Sequence, residues 1–306
     1  MPDRPDRRRI ARLLSRITFV PNVGDIERVR TFGLADYVDA QLDWRSLDVT
    51  QLEANLSCAL PTLGMSRAAL LDGHGADQDA MTQRRPVVEW RAATRARRNA
   101  SPRQLQETMI DVWSRHFGLG ESIDAMLHDR EVVREHALGR YADLLKASAR
   151  SPAMLARERR DWLRDLTTHY TRGPAPGGGD AEIETALRCF SGWTVDDATG
   201  GLRFVPALHD FGAKRVFGLL LPAGGGVEDG DALIDRLVCL PATARNVCAL
   251  LVRRFVGFDA RDLIDVAALV FAASRGDIAA TVRFVLGSAR FAESVGLDAE
   301  EVAARG

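Results

Sequence analysis

The chain has 306 residues and carries 41 basic and 42 acidic side chains, a formal net charge of -1, so it lacks the cationic excess that a nucleic-acid partner calls for. Hydrophobic residues make up 46% and charged residues 27%, enough for a real core in water, and no run nears the roughly 18 apolar residues that span a bilayer. Four cysteines without C-x-x-C spacing argue against a zinc cluster or disulfide scaffold and read as buried free thiols of a cytoplasmic protein.

From the N-terminus, Arg8–Phe19 sets Ile10, Leu13, Leu14 and Ile17 on one helical face, and Pro21 ends it. A second helix starts near Asp25 and stops at Gly33; a third runs Leu34–Leu42. Short helices come next over Val49–Leu56 and Ser66–Leu71, with Ser66 as N-cap. Residues 73–84 are polar and read as a loop, after which Pro86 opens a helix to about Arg98. The basic run Arg95–Arg98 is a solvated face. Ser101-Pro102 signals a helix start, and that helix should run to Phe117 and end at Gly118, with Ile110, Trp113 and Phe117 facing the core. Further helices fit Asp129–Leu138, Tyr141–Arg150, Ser151–Arg157 and Glu158–Tyr170.

Residues 172–180 hold two Pro and four Gly and mark a second flexible loop. A helix over Ala181–Phe190 leads to Trp193–Val195 and Leu202–Val205, which flank a turn-rich segment as a hairpin, and Lys214–Leu219 adds a third short strand. Gly224–Gly226 then opens a helical C-terminal third: Asp231–Cys239, Pro241–Val256, Arg261–Ser274, Asp277–Leu286 and Ser288–Val295. The expected fold is mainly α: one multi-helix globular domain over 1–306, with a small β-hairpin insertion around residues 193–219.

Familiar catalytic signatures are absent: no phosphate loop, no G-x-S-x-G, no H-E-x-x-H. The histidines carry more information. His74 and His128 read as surface residues. His116 comes after Trp113 on one helix face, His136 after Arg130 and Arg134, and His209-Asp210 with Lys214 sits in a loop after the hairpin. An imidazole on a helix face binds metal, acts as a base, or merely satisfies a backbone carbonyl; Asp210 and Lys214 fit a simple ion pair equally well. Glu131 and Asp165 offer carboxylates, and imidazole with carboxylate suits iron, manganese or zinc, although the spacing matches no specific template.

Seven segments, taken in order, resemble one family, the bacterial domain of unknown function 1800. Ala11–Phe19 is similar to its opening Leu-Leu-x-Arg-x-Thr-Phe, and Trp113-Ser114-Arg115-His116-Phe117 to its Trp-His-x-His-Phe. Arg130–Gly139 resembles Arg-x-x-Ile-Arg-x-His-Ala-Leu-Gly, and Leu144-Leu145 with Ser151–Leu155 resembles the family's next stretch. Ala186-Leu187 with Ser191–Thr194 resembles Ala-Leu-Thr-Gly-Trp, and Phe204, His209, Asp210, Gly212, Lys214 and Gly218 fit the next frame. Gly224–Gly226, Pro241–Ala244 and Leu251–Phe255 complete the match.

The resemblance brings no established activity with it. The chain also departs from the pattern. The family's first histidine is Ser114, its Asn-Glu-Asn-x-x-Arg-Glu-Leu survives only as Arg164-Asp165-Leu166, and its later histidine falls on Tyr170, with His169 one place early. Two readings are open. One is a partly degenerate, pseudoenzyme-like protein that binds a ligand, a protein partner or a second copy. The other is an enzyme in which His116, His136, His209 and Asp210 converge, with a divalent metal on the three imidazoles. Arg130, Arg134 and Lys214, beside Trp113 and Tyr170, would then hold an anionic small-molecule substrate.

Overall fold

The computed structural model describes residues 7–173, 179–196, 199–258 and 260–296. Helix α1 (Arg7–Ile17) buries Ile10, Leu13, Leu14 and Ile17, the four residues of its expected face. The helices expected on either side of Gly33 are both there, written together as α2 (Val23–Leu42), and Gly33 breaks the helical geometry between them at φ 88°, ψ 168°. After α3 (Thr50–Ala59) and α4 (Arg67–His74), helix α5 (Ala80–Ala100) starts earlier than Pro86. The Asp79 carboxylate caps it by accepting from the Met81 and Thr82 amides, which shortens the expected loop over 73–84 to a turn before Ala80. Pro86 cannot donate to the Thr82 carbonyl, and the His74 ring nitrogen Nδ1 donates to that oxygen instead, at 2.8 Å.

Helix α6 (Gln104–Phe117) also departs from its expected start. Ser101 ends α5, and the start of α6 is capped from a distance: the Leu105 amide donates to Gln41 Oε1 at 3.0 Å. Its end fits the pattern, with Gly118 left-handed at φ 60°. The chain continues through α7 (Ile123–His128), a π-helical turn (Asp129–Val133), α8 (Arg134–His136), α9 (Tyr141–Ala149), α10 (Pro152–Leu155), α11 (Arg159–Thr167) and α12 (Asp180–Cys189). Of the expected loop over 172–180, residues 174–178 lie outside the described residues.

Strands β1 (Trp193–Val195) and β2 (Leu202–Phe204) pair antiparallel as expected, Trp193 opposite Phe204. The expected third strand is instead part of a second hairpin: β3 (Lys214–Val216) pairs with β4 (Leu219–Leu221) in a two-stranded sheet of its own. Its two-residue turn has positive φ at both Phe217 (46°) and Gly218 (72°), the geometry that lets twisted strands reverse tightly. The Arg236 Nε donates to the Phe217 carbonyl at 2.8 Å and holds that non-glycine turn in place.

Helices α13 (Glu228–Val238), α14 (Pro241–Phe255), α15 (Arg261–Ala273), α16 (Ile278–Leu286) and α17 (Ala289–Val295) complete the mainly helical structure. The main buried cluster runs from Ile10 to Val295, and α1 packs on both α14 and α17. Among the described residues, no helix is long and apolar enough to cross a membrane. Two thiols depart from expectation: Cys189 and Cys248 are buried, but Cys58 and Cys239 are exposed.

Candidate functional site

The last turn of α6 leaves carbonyl oxygens without partners inside the helix. Side chains from the turn after α11 meet them. That turn doubles back through a hydrogen bond from the Tyr170 amide to the Asp165 carbonyl, at 2.8 Å. It thereby presents His169 and Tyr170 to the end of α6. His169 Nε2 donates to the His116 carbonyl at 3.0 Å, and the Tyr170 hydroxyl donates to the Phe117 carbonyl at 3.2 Å. The start of α9 closes the other side, anchored where the Tyr141 amide donates to Gly276 at 2.8 Å.

Tyr141 is fully buried, and its hydroxyl donates its one proton to the Tyr170 carbonyl. Toward His116 it therefore only accepts, so His116 Nε2, 3.1 Å away, carries the ring proton and Nδ1 is the free base. The His116 and His169 rings lie 4.8 Å apart between centroids. Burial, reinforced by the neighbouring His169 ring, pushes the His116 pKa down to about 3 and keeps it neutral near pH 7.

His116, His169 and Tyr170 line an open cavity of about 450 Å³ with Arg157, Asp165 and Ala153. Arg157 donates to the Tyr170 hydroxyl at 3.0 Å and to Asp165 Oδ2 at 2.5 Å. Desolvation opposes the Arg157 charge, but bonds to Asp165 and Tyr170 outweigh it and raise its pKa. Burial raises the Tyr170 phenol, which stays protonated as a donor. The cavity thus presents a fixed cation, a carboxylate and two imidazoles, one of them neutral.

A second cluster gathers His209, Lys214 and Asp229. The His209 and Lys214 side chains are 0% exposed and that of Asp229 is 3%. Lys214 Nζ donates to Asp229 at 2.6 Å, to Gly212 at 3.2 Å and to the Asp210 carbonyl. His209 Nδ1 donates to the Ser191 carbonyl at 2.7 Å, leaving Nε2 without a hydrogen bond, 3.5 Å from Asp229. Serine, imidazole and carboxylate meet here, yet the arrangement is not a nucleophile. The Ser191 hydroxyl donates to Arg188 at 2.7 Å and accepts from the Asp210 amide at 2.9 Å. The cluster is a clasp that fastens the hairpin segment to α12 and α13. Asp210 points away from it, forked onto Arg188 at 2.6 and 3.2 Å, which holds its carboxyl down at about 2.

The expected site therefore divides. His116 and Tyr170, with His169 and Asp165, meet at the cavity on α6; His209 and Lys214 meet in the clasp. His136 joins neither and is half-buried on α8. The three imidazoles do not share a site: among the described residues, no three His, Cys, Asp or Glu side chains group closely enough to hold a metal. Lys214 is no ligand cation, because burial ties its charge to Asp229. Arg134 likewise pairs inside the protein, with Glu107 at 2.9 Å and Asp129 at 3.0 Å. Trp113 is a core residue whose indole N–H meets the Ala137 carbonyl at 2.9 Å. His128 is 2% exposed rather than on the surface; its Nε2 lies 2.9 Å from the Ser148 hydroxyl. Arg130 does line a cavity, a different one, with Glu131. Sequence reasoning missed Tyr141, Arg157 and Asp229; each acts through partners remote in sequence, with no local signal.

No curated protein and no solved structure matches the chain. It does match the family described as Protein of unknown function (DUF1800), over residues 12–156 and 170–302. Of the cavity residues, Arg115 to Leu119 and Ala153 fall in the first matched stretch and Tyr170 opens the second, whereas Arg157, Asp165 and His169 lie between the two. By the extent and order of that match, the chain belongs to the DUF1800 family.

Proposed function

We propose that this chain binds a small polar ligand in the cavity at the end of α6, as a cytoplasmic protein with a site reduced from that of its family. The observation that carries this reading is the convergence of Arg157, Asp165, His116 and His169 on one open cavity of about 450 Å³, a size that suits small molecules. A ligand's anionic or carbonyl oxygen finds the Arg157 guanidinium there, and a ligand N–H or O–H finds Asp165 or the free Nδ1 of His116.

The departures at Ser114 and Tyr170 support binding over the chemistry of a full histidine set. Tyr170 spends its hydroxyl on α6 and Arg157. Ser114 faces a cavity of about 70 Å³, too small for more than a few waters, with Trp90, His128 and Asp129. The metal-dependent alternative requires His136 and His209 to leave their places, and no observation favours it.

The test is histidine-ring NMR on ¹⁵N-histidine protein with acetate, inorganic phosphate, glycerol and ethylamine, each at millimolar concentration. At least one probe should move the His116 and His169 ring signals together, and Arg157→Gln should abolish the response. If all four leave both rings unmoved, the reading fails.

A further inference from the structure

Helix α10 lends Ala153 to the cavity just described and Pro152 to another, of about 540 Å³. Three guanidiniums from three separate elements line this second cavity: Arg67 in the first turn of α4, Arg130 in the π-helical turn, and Arg150 at the end of α9. Each is held in orientation by the protein. Arg67 forks onto Asp124 through Nε at 2.8 Å and Nη2 at 3.4 Å. Arg130 Nη1 donates to the carbonyls of Leu63 and Met65, at 2.7 and 2.9 Å. Arg150 stands over the Trp193 ring, 5.0 Å from its centroid, and pairs with Asp231. The β1–β2 turn lies against the same place: a Cβ on Gly200, whose φ is +75°, would meet Arg67 Cδ at 2.4 Å.

Held this way, the guanidiniums keep N–H groups that have no partner among the described residues: Arg67 Nη1, Arg130 Nε and Arg150 Nε. All three side chains stay partly open to solvent, at 21% for Arg67, 32% for Arg130 and 33% for Arg150. One counter-charge, Glu131, lines the cavity; its side chain is 54% exposed and pairs with Arg130 at 2.5 Å. An exposed rim carboxylate paired with a held guanidinium is what an incoming oxyanion displaces. Planar donors in fixed forks suit the tetrahedral oxygens of phosphate. Among the described residues, the lining contains no aromatic ring on which a base would stack.

We infer that this cavity binds a small phosphate-bearing molecule, its phosphate taking the open N–H groups of Arg67, Arg130 and Arg150 and displacing Glu131. The inference is independent of the reading of the α6 cavity.

Calorimetric titration with glycerol 3-phosphate and inorganic phosphate tests it, with citrate as the carboxylate comparison. Glycerol 3-phosphate should bind, and Arg130→Gln should weaken binding about tenfold or more, the loss of a charge-assisted contact. Arg130 also anchors two backbone carbonyls, so Glu131→Gln, which leaves those bonds intact, supplies the second arm. It should tighten binding about threefold by removing the competing charge. Citrate binding without phosphate binding overturns the inference. So does phosphate binding that ignores both Glu131→Gln and Arg130→Gln.

Discussion

The α6 cavity and the hairpin clasp are built from similar side chains and do opposite things. Each brings an imidazole, a carboxylate and a cation together. In the clasp, Lys214 and His209 are fully enclosed; the Lys214 charge is spent on Asp229 and on backbone carbonyls, and His209 Nδ1 on the Ser191 carbonyl. In the cavity, Arg157 and Asp165 satisfy each other at a rim where both side chains keep about a third of their exposure, 30% and 39%. The lesson is that density of reactive residues along the chain does not identify a site. The His-Asp-x-Gly-x-Lys segment looks richest in chemistry and is a fastening; the functional candidate is assembled from residues scattered between Arg115 and Tyr170.

Removing the clasp's carboxylate breaks this comparison most directly. Asp229→Ala leaves Lys214 buried and unpaired, which costs about 3–5 kcal/mol of folding stability. Denaturant unfolding reads that loss; a change below about 1 kcal/mol would mean the pair is solvated and the clasp is not closed.

The next effect sharpens the cavity side. Burial holds His116 down at about 3 and His128 at about 4, against an ordinary 6.5. Both stay neutral in the folded chain while the unfolded chain takes up protons. Stability is therefore full above pH 6.5 and falls as the pH drops from there toward 4. His116→Gln should flatten that limb of the stability–pH curve. Asp210 acts in a lower window, because its folded value near 2 lies beneath the ordinary 3.8, so its contribution persists through pH 4 and is lost only as the pH falls toward 2.

The smallest effect belongs to the partner of that carboxylate. Arg188 and Asp210 form a forked pair, but both side chains are 39% exposed. Solvent screens them, so Arg188→Gln should cost less than about 1 kcal/mol in thermal unfolding. A loss as large as that of Asp229→Ala would place Asp210 inside the clasp.

Local periodicity carried the fold a long way. The face of α1 and the glycine stop of α6 both appear where the pattern put them. The misses share a cause. Pro86 and Ser101-Pro102 are start signals only if nothing distant intervenes. Here the His74 ring serves the carbonyl that Pro86 leaves open, and Gln41 caps α6 across the core. The same holds for the cavity: His116 and Tyr170 were legible as candidates, whereas Tyr141 and Arg157 were not, because their meaning lies in bonds to groups many residues away.

By itself, then, the sequence determined a mainly helical chain, its family through ordered motifs, and a short roll of candidate imidazoles, because each derives from spacing along the chain. Tertiary structure alone decided which imidazole faces a cavity and which lies enclosed. Burial and hydrogen-bond partnership are set by packing between segments that the chain order does not place side by side.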